Sequence, residues 1–139
     1  MSFFMAFKGV QRSGNINLNS KLNFKTTNNQ MSTRYGSVLK LPEENYKKYK
    51  ELHSAVWPAV LEQIRKSNIR NYSIYHKDGF LFSYFEYIGS DFEGDMARMA
   101  EDPNTREWWK VCEPLQRPLE TRKPGEWWAG MEEVFHFGI

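Results

Sequence analysis

The chain has 139 residues, enough for one domain around a single core and too few for two ordinary ones. Its one cysteine, Cys112, excludes an intramolecular disulfide and fits a reducing compartment such as the cytoplasm, and no apolar run is long enough to cross a membrane. Residues 1–33 hold Lys8, Arg12, Lys21 and Lys25 and no acid, so against a chain total of +2 the remainder carries −2 and offers no electrostatic footprint for nucleic acid.

Residues 1–30 are rich in Asn and Ser and lack a sustained apolar period, which predicts a disordered basic extension ahead of a single domain over 31–139. The short apolar start "FFMAF" is below the length of a secretory core and has no charged region before it. A basic, acid-free segment also fits a mitochondrial-type transit peptide; an extension upstream of a start at Met31 is the preferred reading. From Arg34 to Leu41, "RYGSVLKL" alternates as a strand does, and Pro42, Glu43 and Glu44 then open a helix expected to run to about Lys66. Pro58 falls inside that helix on its solvated side, so a kink and not a break is expected there.

"IRNYSIYH" and "GFLFSYFEYI" read as two strands joined by a hairpin turn at "KDG". Asp91 to Ala100 makes a short helix. Asp102 is a good N-cap and Pro103 a good first residue for the next helix, which "NTREWWKVCE" carries to Pro114. After a loop with Pro118, Pro124 and Gly125, "MEEVFHF" is the expected last strand. The order β-α-β-β-α-β, with the second helical region split, predicts an α+β ferredoxin-like fold: an antiparallel sheet with helices on one face. In the central hairpin one face would carry Phe80, Phe82 and Tyr84 and the other Leu81, Phe85 and Tyr87. Helices can cover one of these, so the other calls for a ligand cavity or a second subunit, and a homodimer through the sheet is expected.

On a helical wheel, at roughly 100° per residue, the stretch "YKKYKELHSAVWP" sets His53 near the middle of an apolar half shared with Tyr49, Val56, Trp57 and Val60. A histidine there is either a hydrogen-bonded core residue or an acid/base group facing a pocket. Tyr49 and Trp57 lie one turn before and after it on the same face, and three such side chains converging describe a small polar pocket with flat walls for the C–H side of a sugar. A neutral imidazole can give a proton to one oxygen and take one from another near neutral pH. Of the tandem tryptophans, about 100° apart, one can pack in the core while the other, Trp108 or Trp109, lines a cavity. Trp127 and Trp128, in a Pro/Gly loop, are expected to pack over an open edge. His53, His76 and His136 form no short ligand pair and give no support to a metal site, Cys112 has no adjacent base, and neither common phosphate-binding glycine loop is present. "KDGFLFSYF" is loosely similar to the aromatic third strand of RNA-recognition domains, but its glycine spacing is wrong and the first strand lacks the paired stacking aromatic.

The segments "YKELHSAVWPAV", "IRNYSIYH", "LFSYFE", "EWWKV" and "EEVFHF" occur in the order and spacing of the L-rhamnose mutarotase family, which the chain resembles over essentially all of 31–139. The resemblance implies a dimeric α/β-barrel type of the ferredoxin-like fold, no metal or organic cofactor, His53 as the catalytic residue, and Tyr49, Tyr72, Trp108 and Trp109 as sugar contacts. Two positions depart from the family's pattern: Glu107 stands where arginine is common, and His136 where tyrosine is. The implied reaction interconverts the α and β anomers of a free 6-deoxy sugar, L-rhamnose or a relative. The same dimerised sheet also serves cofactor-free monooxygenases of aromatic substrates, and a sugar-binding module without turnover is a third reading. Oxygen consumption with a quinol would select the monooxygenase, and affinity without anomer exchange would select the module.

Overall fold

The computed structural model describes residues 31–139; the basic extension expected over 1–30 lies outside the described residues. β1 (Thr33–Lys40), β2 (Ile69–Lys77), β3 (Phe80–Tyr87) and the two-residue β4 (Ala129–Gly130) form one antiparallel sheet in the order β2-β3-β1-β4, the ferredoxin-like arrangement. Strict alternation fixes which side is buried. Tyr35, Ser37 and Leu39 of β1 and Leu81, Ser83, Phe85 and Tyr87 of β3 are buried under the helices, while their neighbours along each strand are not. The turn between β2 and β3 has Asp78 at φ 50° and Gly79 at φ 79°, the two left-handed positions of a type I′ hairpin that "DG" supplies.

The long helix expected over 43–66 is broken, not kinked. α1 runs Glu43–His53 and α2 runs Pro58–Lys66, with Ser54 to Trp57 between them. The cause is the residue before the proline: its clash with the ring favours extended backbone, and Trp57 sits at φ −59°, ψ 132°, capping α2 while Pro58 takes the first helical position, where a missing N–H costs nothing. Ser54 closes α1 with its N–H on the carbonyls of Lys50 and Glu51. The single wheel drawn through both helices therefore loses its register beyond His53: Val60 is buried as expected, but Trp57, placed on the apolar half, is 36% exposed.

α3 (Phe92–Glu101) and α4 (Pro103–Cys112) are capped as their local chemistry predicts. The Asp91 carboxylate accepts from the Gly94 N–H at 3.1 Å, and that of Asp102 from the Thr105 N–H at 2.8 Å, with Pro103 leading α4. A 3-10 turn, Glu113–Leu115, ends α4 early and is tied to α1 by the Asn45 side chain, which donates to the Leu115 carbonyl. The loop that follows is pinned at one end by paired backbone bonds between Lys40 and Arg117. It is pinned at the other by the buried Glu126 carboxylate, which accepts from the Lys123 N–H.

The last strand is not where the sequence put it. Pairing with β1 covers Ala129 and Gly130 and one further bond from the Met131 N–H to the Gly36 carbonyl; "MEEVFHF" then leaves the sheet, held at Glu133 by a two-pronged bond from Arg34. Val134, Phe135 and Phe137 are left exposed, because among the described residues the segment meets no surface to bury them. Among the described residues no helix is long and apolar enough to cross a membrane.

Candidate active site

Between the sheet and the helices lies a cavity whose empty space, with the solvent at its open mouth included, is about 600 Å³. Tyr49 and His53 come from α1, Val60 and Ile64 from α2, and Ile69, Tyr72 and Ile74 from β2. Met99 of α3, Trp108, Trp109 and Cys112 of α4, and Glu113, Gln116, Trp127 and Trp128 beyond it close the wall. All five residues singled out in the sequence, His53, Tyr49, Tyr72, Trp108 and Trp109, therefore share one space.

Each arrives there for a local reason. His53 is the last residue of α1, and its ring stacks on Tyr49 one turn earlier at 4.1 Å between centroids and meets the edge of Trp108 at 5.3 Å. Its Nδ1 lies 2.8 Å from the Tyr49 carbonyl oxygen. A carbonyl can only accept, so Nδ1 carries the proton and Nε2 of the neutral ring keeps its lone pair. Burial lowers the His53 pKa below the ordinary imidazole value, and the Tyr49 carbonyl opposes that shift without cancelling it. The result is a neutral imidazole with one fixed tautomer and one basic nitrogen.

Tyr72 reaches the cavity through a bulge. Ile69 pairs with Tyr87 and Ile74 with Ser83, both inward, so an even ladder would turn residue 72 outward. Asn71 and Tyr72 together face Phe85, with Asn71 at φ 49°, and the extra residue restores Tyr72 to the inner side, its ring edge-on to Phe85 at 5.8 Å. Asparagine tolerates that left-handed backbone, and the Asn71 amide holds it by donating to Glu86 at 2.7 Å. Burial raises the pKa of both Tyr49 and Tyr72 well above the ordinary phenol range, so each stands as a neutral hydrogen-bonding group.

Both tandem tryptophans of α4 line the cavity, Trp108 buried and Trp109 half-buried. Trp57, expected to converge on the same space, instead packs edge-on against Trp108 at 5.2 Å, since the break after α1 carries it off the His53 face. Trp127 and Trp128 do not merely cover an edge: they wall the cavity, and the Trp127 indole donates to the buried Gln116 side chain at 2.8 Å. Gln116, Glu113 and these two tryptophans carry no helical or strand period that could have singled them out. The loop's return to α1 over some 70 positions brings them in.

The remaining chemistry-bearing residues stand elsewhere or are quiet. Cys112 is buried and its thiol is pushed up to about 12, mainly by burial, so it packs and does not attack. Glu107 forms an exposed ion pair with Lys110 at 2.7 Å, and His136 sits on the exposed C-terminal segment. His76 stacks on Tyr46 at 4.2 Å. Among the described residues no three His, Cys, Asp or Glu are grouped as metal ligands would be.

A family model described as L-rhamnose mutarotase matches residues 34–137. An L-rhamnose mutarotase of Lactiplantibacillus plantarum is 31% identical over 105 residues, covering 74% of this chain and 96% of that protein. One from Bacillus subtilis is 29% identical over 105 residues with the same shares. Among solved structures, an L-rhamnose mutarotase of Formosa agariphila superposes with a TM-score of 0.58 at 21% identity, over 76% of this chain and 99% of that one. Tetracenomycin F2 cyclase of Streptomyces glaucescens gives a TM-score of 0.58 at 9% identity, over 77% and 98%. At these identities the two structures share the fold.

Proposed function

The chain belongs to the L-rhamnose mutarotase family, and we propose that it is an isomerase interconverting the α and β anomers of a free 6-deoxy sugar, L-rhamnose first among them, with His53 as general acid/base. The observation that carries this reading is the His53 tautomer: a neutral ring whose Nδ1–H is spent on the Tyr49 carbonyl keeps a basic Nε2 in an aromatic-walled cavity.

In the forward direction Nε2 takes the proton of the anomeric hydroxyl as the bond between the anomeric carbon and the ring oxygen breaks. The ring oxygen gains a proton, from the imidazolium just formed or through a bound water, and the open aldehyde results. Rotation about the bond to the next carbon turns the other face of the carbonyl toward the hydroxyl, which adds to it while both protons retrace their paths. No net proton or electron is consumed, so one imidazole and hydrogen-bond donors suffice for the chemistry. Tyr49 and Tyr72, neutral through burial, hold sugar oxygens, and Trp108 and Trp109 offer flat faces to its C–H side.

The functional unit is a homodimer built through the uncovered sheet face. Val38, Phe82 and Tyr75 stand side by side on that face across three strands, flanked by half-buried Phe80 and Tyr84, and Tyr75 is 65% exposed. An apolar sheet face of this kind next to exposed Val134, Phe135 and Phe137 suits a second copy of the chain. A single buried thiol fits a reducing compartment such as the cytoplasm.

Magnetisation-exchange NMR of anomeric protons across a panel of L-rhamnose, L-fucose and ordinary hexoses tests the reading. Accelerated exchange for a 6-deoxy sugar is expected; affinity without acceleration, or oxygen uptake with a quinol in its place, would overturn it.

A further inference from the structure

Gln116 is a buried amide with both ends committed. Its Oε1 lies 2.8 Å from the Trp127 indole nitrogen and its Nε2 lies 3.2 Å from the Tyr49 hydroxyl. An indole N–H can only donate, so the end facing Trp127 must be the oxygen and the end facing Tyr49 must be the NH2 group. The Tyr49 oxygen therefore accepts, and its one proton is left for a different partner. Tyr49 and Gln116 both line the cavity.

We propose that Gln116 is a positioning residue that sets the hydrogen-bond polarity of Tyr49, so that Tyr49 meets the sugar as a donor and the sugar oxygen opposite it must accept. The ligand's identity rests on the mutarotase reading, whereas the polarity rests on the indole. The same amide couples the Trp127 loop to α1, which makes one buried side chain responsible for both a wall of the cavity and the direction of a bond inside it. A hydroxyl without that lock could turn its proton toward any acceptor in reach, and part of the discrimination among sugar oxygens would go with it.

Gln116→Glu is the informative variant because it keeps the shape. As a carboxylate, residue 116 can only accept, from Trp127 and from Tyr49 alike, and Tyr49 would then face the sugar as an acceptor. Once protonated, the acid accepts from Trp127 and donates to Tyr49, as the amide does. The titratable groups lining the same cavity are His53 and Tyr49 of α1, Tyr72 of β2, Cys112 of α4 and Glu113 of the 3-10 turn. Burial raises the two phenols and the thiol out of the neutral range, and His53 and Glu113 are common to wild type and variant, so the ratio of the two enzymes isolates residue 116.

The full chain and Gln116→Glu are compared in anomer exchange from pH 5 to 9, with melting temperatures on the same samples. The expected ratio of variant to wild type is near one at the acid end and falls about 10–100-fold at the alkaline end, chiefly through KM, as for a buried polar contact set against the wrong partner. A ratio that does not change with pH would overturn the proposal. If Gln116→Glu does not fold, Gln116→Leu carries the test: a loss of about 3–10-fold in kcat/KM supports the lock, and wild-type activity refutes it. A sugar-free readout separates this proposal from the mutarotase reading. The Tyr49 ring carbon bearing the hydroxyl and the Trp127 indole N–H should share a titration step in Gln116→Glu that wild type lacks, any step from the stacked His53 ring being common to both. Absence of that added step would sink the proposal even if exchange is catalysed, and absent exchange with the added step present would sink the mutarotase reading alone.

Discussion

A histidine at the end of a helix ordinarily spends its ring on solvent or on the core. His53 does neither, because the stacked Tyr49 ring and the Tyr49 carbonyl grip it from two sides while Trp108 closes the third. Its pKa, lowered mainly by burial, sets two expectations. A base that must be neutral gives kcat/KM an acid limb, and that limb should fall below the ordinary imidazole value of about 6.5. The same shift has a sign for stability. As pH falls through 6.5 the unfolded chain takes up a proton before the folded one does, so the His53 contribution is present above 6.5 and declines between 6.5 and the lower folded value. Wild type should thus lose melting temperature relative to His53→Gln on going from pH 7 to pH 5, and a constant difference would mean that the ring is not desolvated. The sequence made His53, Tyr49, Trp108 and Trp109 legible because their spacing lies within single helices. Gln116 was hidden, since its role depends on an indole 11 positions later and a phenol 67 positions earlier.

At the scale of the element, what the sequence revealed was local chemistry and what it concealed was where local rules compete. Asp91, Asp102 with Pro103, and Asp78 with Gly79 act on neighbours within three residues, and their caps and turn form as expected. Pro58 could have kinked one helix or begun another. Trp57 decided for the second, by taking the extended backbone that precedes a proline. The bulge in β2 shows the same competition. Alternation alone would send Tyr72 to the outer face, and the two-residue detour at Asn71 reverses it. Asn71→Val places a β-branched residue at φ 49° and removes the bond to Glu86. It should cost about 1–2 kcal/mol by thermal or denaturant unfolding, and should raise KM as Tyr72 swings from the cavity. An unchanged KM with the stability lost would show that the bulge serves the strand and not the site.

For the whole molecule, the sheet is covered on one side by helices and on the other, among the described residues, only at its β1 edge, where Met131 lies against Gly36 and Glu133 is held by Arg34. The apolar alternation of β3 announced this, and the exposed segment after Met131 extends it, since the strand expected there finds no partner among the described residues. Sedimentation should report twice the chain mass at micromolar concentration. Phe82→Asp, on the outer face, should give a folded monomer, and a wild-type monomer would refute the dimer. Residues 1–30 carry no periodic apolar pattern, so a chain beginning at Met31 should keep the melting temperature and exchange rate of the full one; loss of either would mean that the extension packs on the domain. The most direct measurement compares wild type and His53→Ala in anomeric magnetisation exchange on L-rhamnose, with melting temperature and sugar affinity read on the same samples. A folded His53→Ala protein should lose about 10²–10⁴-fold in exchange while affinity, supplied by the aromatic walls, falls far less. Full exchange by a folded His53→Ala protein would contradict the account.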